Sequence, residues 1–307
     1  MSRAPITVNL MGGLGNQLFQ LATGLELAQR NGVPLELDLS WFAQPLRRTG
    51  GRLVLRPYEL EGIADNLRRA ELPPGRIGAL ARHVRDVGGR RAPNIVNRLP
   101  GTDHFEVGAG FDPSVLDLPA GTHLKGYYSS WRYFPTVASE MRARVLGAPT
   151  PSSWGMQEGA RASADAPIAL HVRRGDYLAL ASTYGHVAPD YYKRSVGLLR
   201  DLGHAGPLWL FSDDPSGASD FLRGFVALDR VIEPPSECAP VESMVAMSGA
   251  DALVIANSTF SWWSAFLEDR PDRHVVAPRP LWADASMGEP RDWLLPHWTT
   301  VDCRRFP

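Results

Sequence analysis

The sequence predicts an α/β fold divided into two domains, each built from strands and helices in alternation. Three observations carry that prediction. The chain has 307 residues, 44% of them hydrophobic, enough to fill two cores where a single core of that length is unusual. Its first forty residues read as strand, glycine-rich turn, helix and strand. From Ile168 onward, apolar runs of strand length alternate with segments of helical periodicity. Strands joined through helices lie parallel, the helices cover the sheet faces, and ligands collect at the carboxyl ends of the strands.

Ile6 to Leu10 alternates with period two, and Met11 to Asn16 forms the turn after it. Between Gln17 and Arg30, Leu18, Leu21, Ala22, Leu25 and Ala28 fall at helical spacing, Gly32 supplies a stop, and Pro34 to Leu39 reads as the next strand. The stretch from Leu46 to Gly121 is rich in Arg, Pro and Gly. It predicts irregular insertions, with short helical pieces around Leu67 and Leu80. His123 to Phe134 reads as a strand with an aromatic cluster, leading into a helix that ends near Gly147.

Turn formers dominate Ala148 to Pro167, which makes that stretch the predicted linker between an N-terminal domain, 1–150, and a C-terminal domain, 165–307. Beyond it, strands are expected at IALHVR, PLWLF, ALVIA and HVVA. Helices are expected around Tyr191 to Leu202, Ser219 to Arg223, Val241 to Ser248 and Thr259 to Glu268.

Composition excludes several classes. Lys and Arg total 32 against 33 Asp and Glu, a formal net charge of -1, so no overall field recruits nucleic acid. Cys238 and Cys303 stand far apart without metal-ligand spacing, which gives no disulfide or zinc framework and fits a reducing cytosol. The start lacks an apolar leader, and no stretch approaches the ~18 apolar residues of a spanning helix. The expectation is a cytoplasmic protein without a transmembrane segment. Peripheral membrane contact through scattered arginines stays open.

The densest chemistry lies in HVRRGDY, His171 to Tyr177, where an apolar strand runs out into a turn. Period two sends His171 and Arg173 to one face and Arg174 to the other, and Gly175 lets the chain turn so that Asp176 reaches the rim. A guanidinium presents a planar fork of donors that suits a diphosphate, so Arg173 is the first candidate for a phosphate contact. The competing reading is a plain surface ion pair of Arg174 with Asp176.

Asn257, Ser258 and Thr259 follow another apolar strand and open a helix. Small polar residues cap the free amides there, and a helix start is also an anion site, so capping alone and phosphate binding both fit. Trp262, Trp263 and Phe266 are expected in the core.

GGLGNQ fails as a dinucleotide fingerprint, because Gly13, Gly15 and Leu18 spell GxGxxL, and it lacks the Lys-Ser or Lys-Thr of a P-loop. What remains is either a tight turn or a backbone that a ligand can approach closely, with Asn16 capping the helix. Asp213 and Asp214 end another strand and should reach the same edge as His171 and Asn257. Without an Asp-x-Asp in the chain, metal support of a diphosphate is disfavoured, and loop fixation competes with donor contact for Asp213. Glu36 and Asp38 share a strand face and fit either acid-base work or an exposed strand edge. Trp41, Tyr127, Tyr128 and Trp131 fit either sugar stacking or the core.

Taken in order, GGLGNQLFQLATGLELA, HVRRGDY, FSDD and NSTFSWWSAFL resemble the motif set of glycosyltransferase family 11, which contains α-1,2-fucosyltransferases. The similarity runs from about residue 8 to WLLPHW. The resemblance implies a GT-B architecture, two Rossmann-like domains facing across a cleft, with GDP-fucose held mainly by the C-terminal one. It implies inverting transfer without metal or other cofactor, to a glycan acceptor such as a terminal β-galactoside.

Carried over by position, Arg173 matches the arginine on the donor β-phosphate, with His171 near the nucleotide and Arg174 beside it. Ser258, Thr259 and Phe260, next to Asn257, fall in the donor-phosphate loop. Asn16 matches an amide that faces the cleft from the loop of Gly13 and Gly15. One departure concerns the guanine: where relatives place an acidic residue to read it, this chain has Ser243, with Glu242 as the neighbouring substitute. An inverting transfer needs a base for the acceptor hydroxyl. Asp176 is nominated as that base or as the group orienting Arg173, and Asn16 as a positioner. The alternatives are a transferase of another nucleotide-activated deoxysugar and a non-catalytic nucleotide-sugar-binding protein.

Overall fold

The computed structural model describes residues 3–43, 48–49, 52–53, 56–71, 103–108, 110–175, 185, 187–268, 270, 272–283, 290 and 292–303. The chain divides into two compact units: Met1–Arg47, Leu55–Met141 and Pro290–Trp293 form the first, and Arg48–Val54, Arg142–Glu289 and Leu294–Pro307 the second. Each is built on a parallel sheet, so the α/β class with two Rossmann-like units is present.

The first unit's sheet uses β1 (Ile6–Asn9), β2 (Leu35–Asp38), β5 (Arg68–Arg69), β6 (Asp103–Phe105) and β7 (His123–Lys125) in the order β5-β2-β1-β7-β6. All four pairings are parallel. Between β2 and β5 in the sequence, β3 (Arg48–Thr49) and β4 (Arg52–Leu53) pair antiparallel as a two-stranded ribbon. Helix α1 (Leu14–Asn31) follows β1 and stops at Gly32, whose left-handed φ of 63° lets its N–H reach the carbonyls of Ala28 and Gln29, a glycine C-cap. It begins three residues before the expected Gln17. Helix α2 (Ala138–Leu146) ends at the expected Gly147. The chain just ahead of it is held by Glu26 of α1, which accepts the Thr136 N–H at 2.8 Å and the Val137 N–H at 3.3 Å.

Two expectations for this unit fail. Leu67 leads into strand β5 rather than a helical piece, and only His123–Lys125 of the His123 to Phe134 stretch is a strand, the chain turning at Gly126 and forming a 3-10 turn at Trp131–Tyr133. Leu80 lies outside the described residues.

The second unit's sheet contains β8 (Ile168–Val172), β9 (Leu208–Ser212), β10 (Arg230–Val231), β11 (Ala252–Val254), β12 (Val275–Arg279) and β13 (Thr299–Asp302). They lie in the order β10-β9-β8-β11-β12-β13, all parallel. Counted along the chain this is 3-2-1-4-5-6, the doubly wound order of dinucleotide-binding sheets. The connecting helices are α4 (Pro189–Asp201), α5 (Pro215–Leu222), α6 (Pro240–Ser248) and α7 (Thr259–Leu267). Strand side chains Leu170, Val172, Leu210 and Val254 bury with Tyr191 and Leu199 of α4 and Leu222 of α5. Strands buried on both faces lose alternation, as the unbroken burial of IALHV shows.

The predicted linker is largely a helix, α3 (Trp154–Asp165). Its low periodicity reflects close helix packing, since a methyl at Gly155 would sit 2.6 Å from the Glu242 carbonyl oxygen and one at Gly159 3.2 Å from that of Val245. Two glycines four residues apart flatten one face of α3 so that α6 can approach backbone to backbone. No helix among the described residues is long and apolar enough to cross a membrane.

Candidate functional site

A doubly wound sheet splits where its strand order reverses, and the crevice outside the carboxyl ends of the two flanking strands is its natural binding place. In the second unit those strands are β8 and β11, with Leu170 paired to Val254. A small pocket lies there, lined among others by Arg173 and Arg174 beyond β8 and by Ala256 and Asn257 beyond β11. The two motifs selected from sequence thus meet at one place.

The strand ends at Val172, so period two no longer governs the arginines. Instead of facing opposite ways, Arg173 and Arg174 line the same pocket and engage the two aspartates after β9. Arg173 pairs with Asp213 at 3.1 Å, and Arg174 pairs with Asp214 at 3.1 Å while its N–H reaches Asp213 at 2.9 Å. The competing reading, an ion pair of Arg174 with Asp176, involves a residue that lies outside the described residues.

Asp214 also caps α5 by accepting the Gly217 N–H at 3.1 Å. Asp213 accounts for Gly175: a methyl there would fall on the Asp213 carboxylate. The glycine is required by that close approach rather than by the turn.

His171 is 3% exposed and stacks on Phe260, ring centroids 5.5 Å apart at 26°. Burial, with the Arg173 charge added, pushes its pKa down to about 3, so the ring is neutral at physiological pH. Its Nδ1 has no hydrogen-bond partner among the described residues. A buried polar atom left in that state is costly.

Ser258 is the N-cap of α7 and its hydroxyl accepts the Phe260 N–H at 3.3 Å. Thr259 is the first helical residue, and Thr259 and Phe260 are half-buried. The Asn257 amide donates to the Leu281 carbonyl at 3.0 Å, which fixes the loop after β12. Trp262, Trp263 and Phe266 are buried as expected. Tyr192 also lines the pocket and donates its hydroxyl to the His171 carbonyl at 3.0 Å. Nothing in its sequence context singled it out, because an aromatic on a helix reads as core.

Glu242 has structural partners. It is 1% exposed, one carboxylate oxygen accepts the Ala239 N–H at the start of α6 at 3.1 Å, and the other accepts the Ser152 hydroxyl. Both oxygens are therefore occupied within the unit. Ser243, next to it on α6, is half-buried.

In the first unit the glycine loop follows β1. Asn16 does not cap α1; Gly13 occupies the N-cap without a side-chain bond, and Asn16 lies half-buried in the first turn beside the buried Gly15. The turn's demanding residue is Gly12, with φ 77° and an Asn16 amide nitrogen 2.6 Å from where a methyl would stand. At Gly13 a methyl would make only ordinary contacts.

Two glutamines, unremarked in the sequence, fix this loop. Gln17 donates to Gly12 O and Pro57 O at 2.8 and 2.9 Å and accepts the Glu59 N–H at 2.9 Å. Gln20 accepts the Met11 N–H and donates to Gly126 O, at 2.9 and 3.0 Å. The signal was a pair of amides on the helix face that also holds Leu14, Leu18 and Leu21.

Asp38 is no edge residue: β2 lies inside the sheet and the side chain is 3% exposed. It takes hydrogen bonds from Asn9 at 2.9 Å and His123 at 3.0 Å. Burial alone would raise its pKa, but His123 and Ser40 outweigh it and the net shift is downward. Asp103, also desolvated, is brought to about 2 by His123 and Lys125. Of the four aromatics, Tyr128 is core and Tyr127 is 44% exposed, while Trp41 and Trp131 are half-buried.

The model of glycosyl transferase family 11 matches residues 110–302. An O-antigen biosynthesis glycosyltransferase of Escherichia coli, WbnK, is 35% identical, over 89% of this chain and 94% of its own. An alpha-1,2-colitosyltransferase of Escherichia coli is 23% identical, over 90% and 91%. Among solved structures, the fucosyltransferase NodZ from Bradyrhizobium is similar at 15% identity, over 87% of this chain and 94% of that one, with a TM-score of 0.47. By the family match and the relative at 35% identity, the chain belongs to glycosyl transferase family 11.

Proposed function

We propose that this glycosyltransferase moves L-fucose from GDP-β-L-fucose to the 2-hydroxyl of a terminal β-galactoside on a glycan, with inversion and without a metal. One observation carries the reading: Arg173 and Asn257, from the two motifs, line a single pocket where the sheet order reverses. Departure of the sugar leaves negative charge on the nucleotide diphosphate. Guanidinium groups and helix-start amides fixed in advance stabilise that charge without reorganising. Arg173 and Arg174 supply positive charge where a divalent ion would otherwise stand.

Asp213 then acts through Arg173, holding the guanidinium in place, rather than touching the donor. Neutral His171 offers its buried Nδ1 as a hydrogen-bond partner, not as an acid. Asn16 positions acceptor or donor from the loop of Gly13 and Gly15, which the donor approaches closely, and Ser258, Thr259 and Phe260 serve the donor phosphates. Domains 1–150 and 165–307 divide these duties.

A second reading has its own support. The relative named as a colitosyltransferase handles another deoxysugar, and Glu242, the stand-in for the guanine-reading acid, has both oxygens occupied. The deciding experiment incubates the purified chain with GDP-fucose, GDP-colitose and other nucleotide sugars against a panel of β-galactosides, with linkage analysis of the products. An α-1,2-fucosyl product formed equally in EDTA is expected. Exclusive use of another donor, or loss of turnover in EDTA with recovery on Mn²⁺, contradicts the donor or the metal-free part of the proposal.

A further inference from the structure

Strands that part at a sheet's reversal lose ladder partners, and a buried carbonyl released in this way needs another donor. In the second unit the pairing of β8 with β11 ends at Leu170 and Val254, one residue short of the His171 carbonyl. The Tyr192 hydroxyl donates to that carbonyl at 3.0 Å.

On the other side of the reversal, the ladder of β11 with β12 takes the Leu253 N–H to the His274 carbonyl at 3.0 Å and the Ile255 N–H to the Val276 carbonyl at 2.9 Å. Continued in that parallel register, the donor to the Ile255 carbonyl falls at residue 278. Residue 278 is a proline of β12 and has no N–H to give. The Tyr191 hydroxyl takes its place, sharing its proton between the Ile255 carbonyl at 2.8 Å and the Val276 carbonyl at 3.0 Å.

Both hydroxyls come from adjacent residues at the start of one helix, α4. The rings are buried and meet edge to face, centroids 5.0 Å apart, and burial raises both phenol pKa values, so each keeps its proton at working pH. Phenylalanine would fill the same volume; only the hydroxyl reaches a strand end. The two carbonyls hold matching places. His171 lies two residues before Arg173 and Ile255 two before Asn257, and Arg173 and Asn257 line the pocket from opposite sides of the reversal. One rigid helix therefore sets how far apart the two strand ends stand.

We infer that Tyr191 and Tyr192 are positioning residues for the nucleotide diphosphate: Tyr192 fixes the end of β8 that presents Arg173, and Tyr191 the end of β11 that presents Asn257. Each acts through the residue two places beyond the carbonyl it holds. Preorganised donors stabilise charge only while they stay where the charge develops, and a strand end freed from its anchor carries its guanidinium or amide away with it.

This assignment rests on the proposed binding of a nucleotide diphosphate at the reversal, and its test separates the two. GDP is titrated calorimetrically into wild type, Tyr192→Phe, Arg173→Ala and their double variant, and into the matching set built from Tyr191→Phe and Asn257→Ala. Titrations are run well below the lowest melting temperature of the set, so that lost stability does not pass for lost binding. Each tyrosine variant should weaken GDP about 3- to 10-fold, the worth of one neutral hydrogen bond. In the background that lacks its own site residue, the same change should alter affinity by less than about twofold, since there is no longer a group to misplace.

A bond that merely steadied the fold would give equal losses in both backgrounds. Such additivity, or unchanged affinity of the single variant, removes that tyrosine from the assignment. Wild type that binds no GDP sinks the nucleotide reading and this one with it, whereas GDP binding to wild type with both tyrosine variants unaltered sinks this one alone.

Discussion

The two sheets solve one topological problem and put opposite chemistry at the place where it is solved. At the carboxyl edge of the second unit stand Arg173 and Arg174, each paired to an aspartate, beside a histidine kept neutral by burial. At that of the first unit stands Glu106, whose carboxylate accepts the Tyr127 and Tyr128 N–H groups, while deeper in the sheet Asp38 and Asp103 share His123 and Asp103 also pairs with Lys125. Strand order fixes where a ligand goes, and the residues just past the strand ends fix which ligand. A cationic edge suits a diphosphate; a carboxylate that holds two backbone N–H groups fixes its own loop.

The largest effect that bears on this contrast should come from Arg173→Ala. Loss of one preorganised charge-stabilising donor costs roughly 10²–10³ in kcat, so transfer should fall by about that factor while the melting temperature stays near wild type. Turnover within about threefold of wild type would break the contrast at its cationic end.

Gln17→Ala should act on stability instead. It removes the anchor of Gly12, Pro57 and Glu59 at a fully buried site, and leaving buried partners unsatisfied costs roughly 2–4 kcal/mol in total. Urea unfolding measures this, and an unchanged midpoint would mean that the glycine loop holds itself.

The smallest effect is pH-dependent. Burial disfavours charged His123, but its hydrogen bonds to Asp103 and Asp38 raise its pKa above 6.5. Its contribution is therefore complete below that value and fades as pH rises through the raised one. Asp38 and Asp103 are shifted the other way, so theirs is present above 3.8 and fades as pH falls, for Asp103 through about 2. His123→Gln should accordingly lower the melting temperature more at about pH 5.5 than at about pH 9. Equal losses at both would show a packing defect only.

Much of the second unit was legible because its strands are long, apolar and punctuated. ALVIA followed by Asn257-Ser258-Thr259 announces strand, cap and helix, and HVRRGDY announces a strand end with charge on it. Less of the first unit was. Its strands β5, β6 and β7 run two or three residues, too short for a period to show. In the second unit α3 concealed itself behind glycines needed for helix contact.

At the site, residue types were readable but directions were not. Period two stopped at Val172, so the two arginines turned the same way, and Asn16 gave up the cap to Gly13. In the first unit Glu106 carried no local signal at all. Its environment is made by Tyr127 and Tyr128, 21 and 22 residues away.

The most direct test of the cationic edge is calorimetric titration of GDP into wild type and Arg173→Ala, both checked for native melting. A charged hydrogen-bond contact of this kind is worth about 10- to 150-fold in affinity, and a loss in that range is expected. Equal affinity in the two proteins would mean that the nucleotide diphosphate is bound somewhere other than at the reversal between β8 and β11.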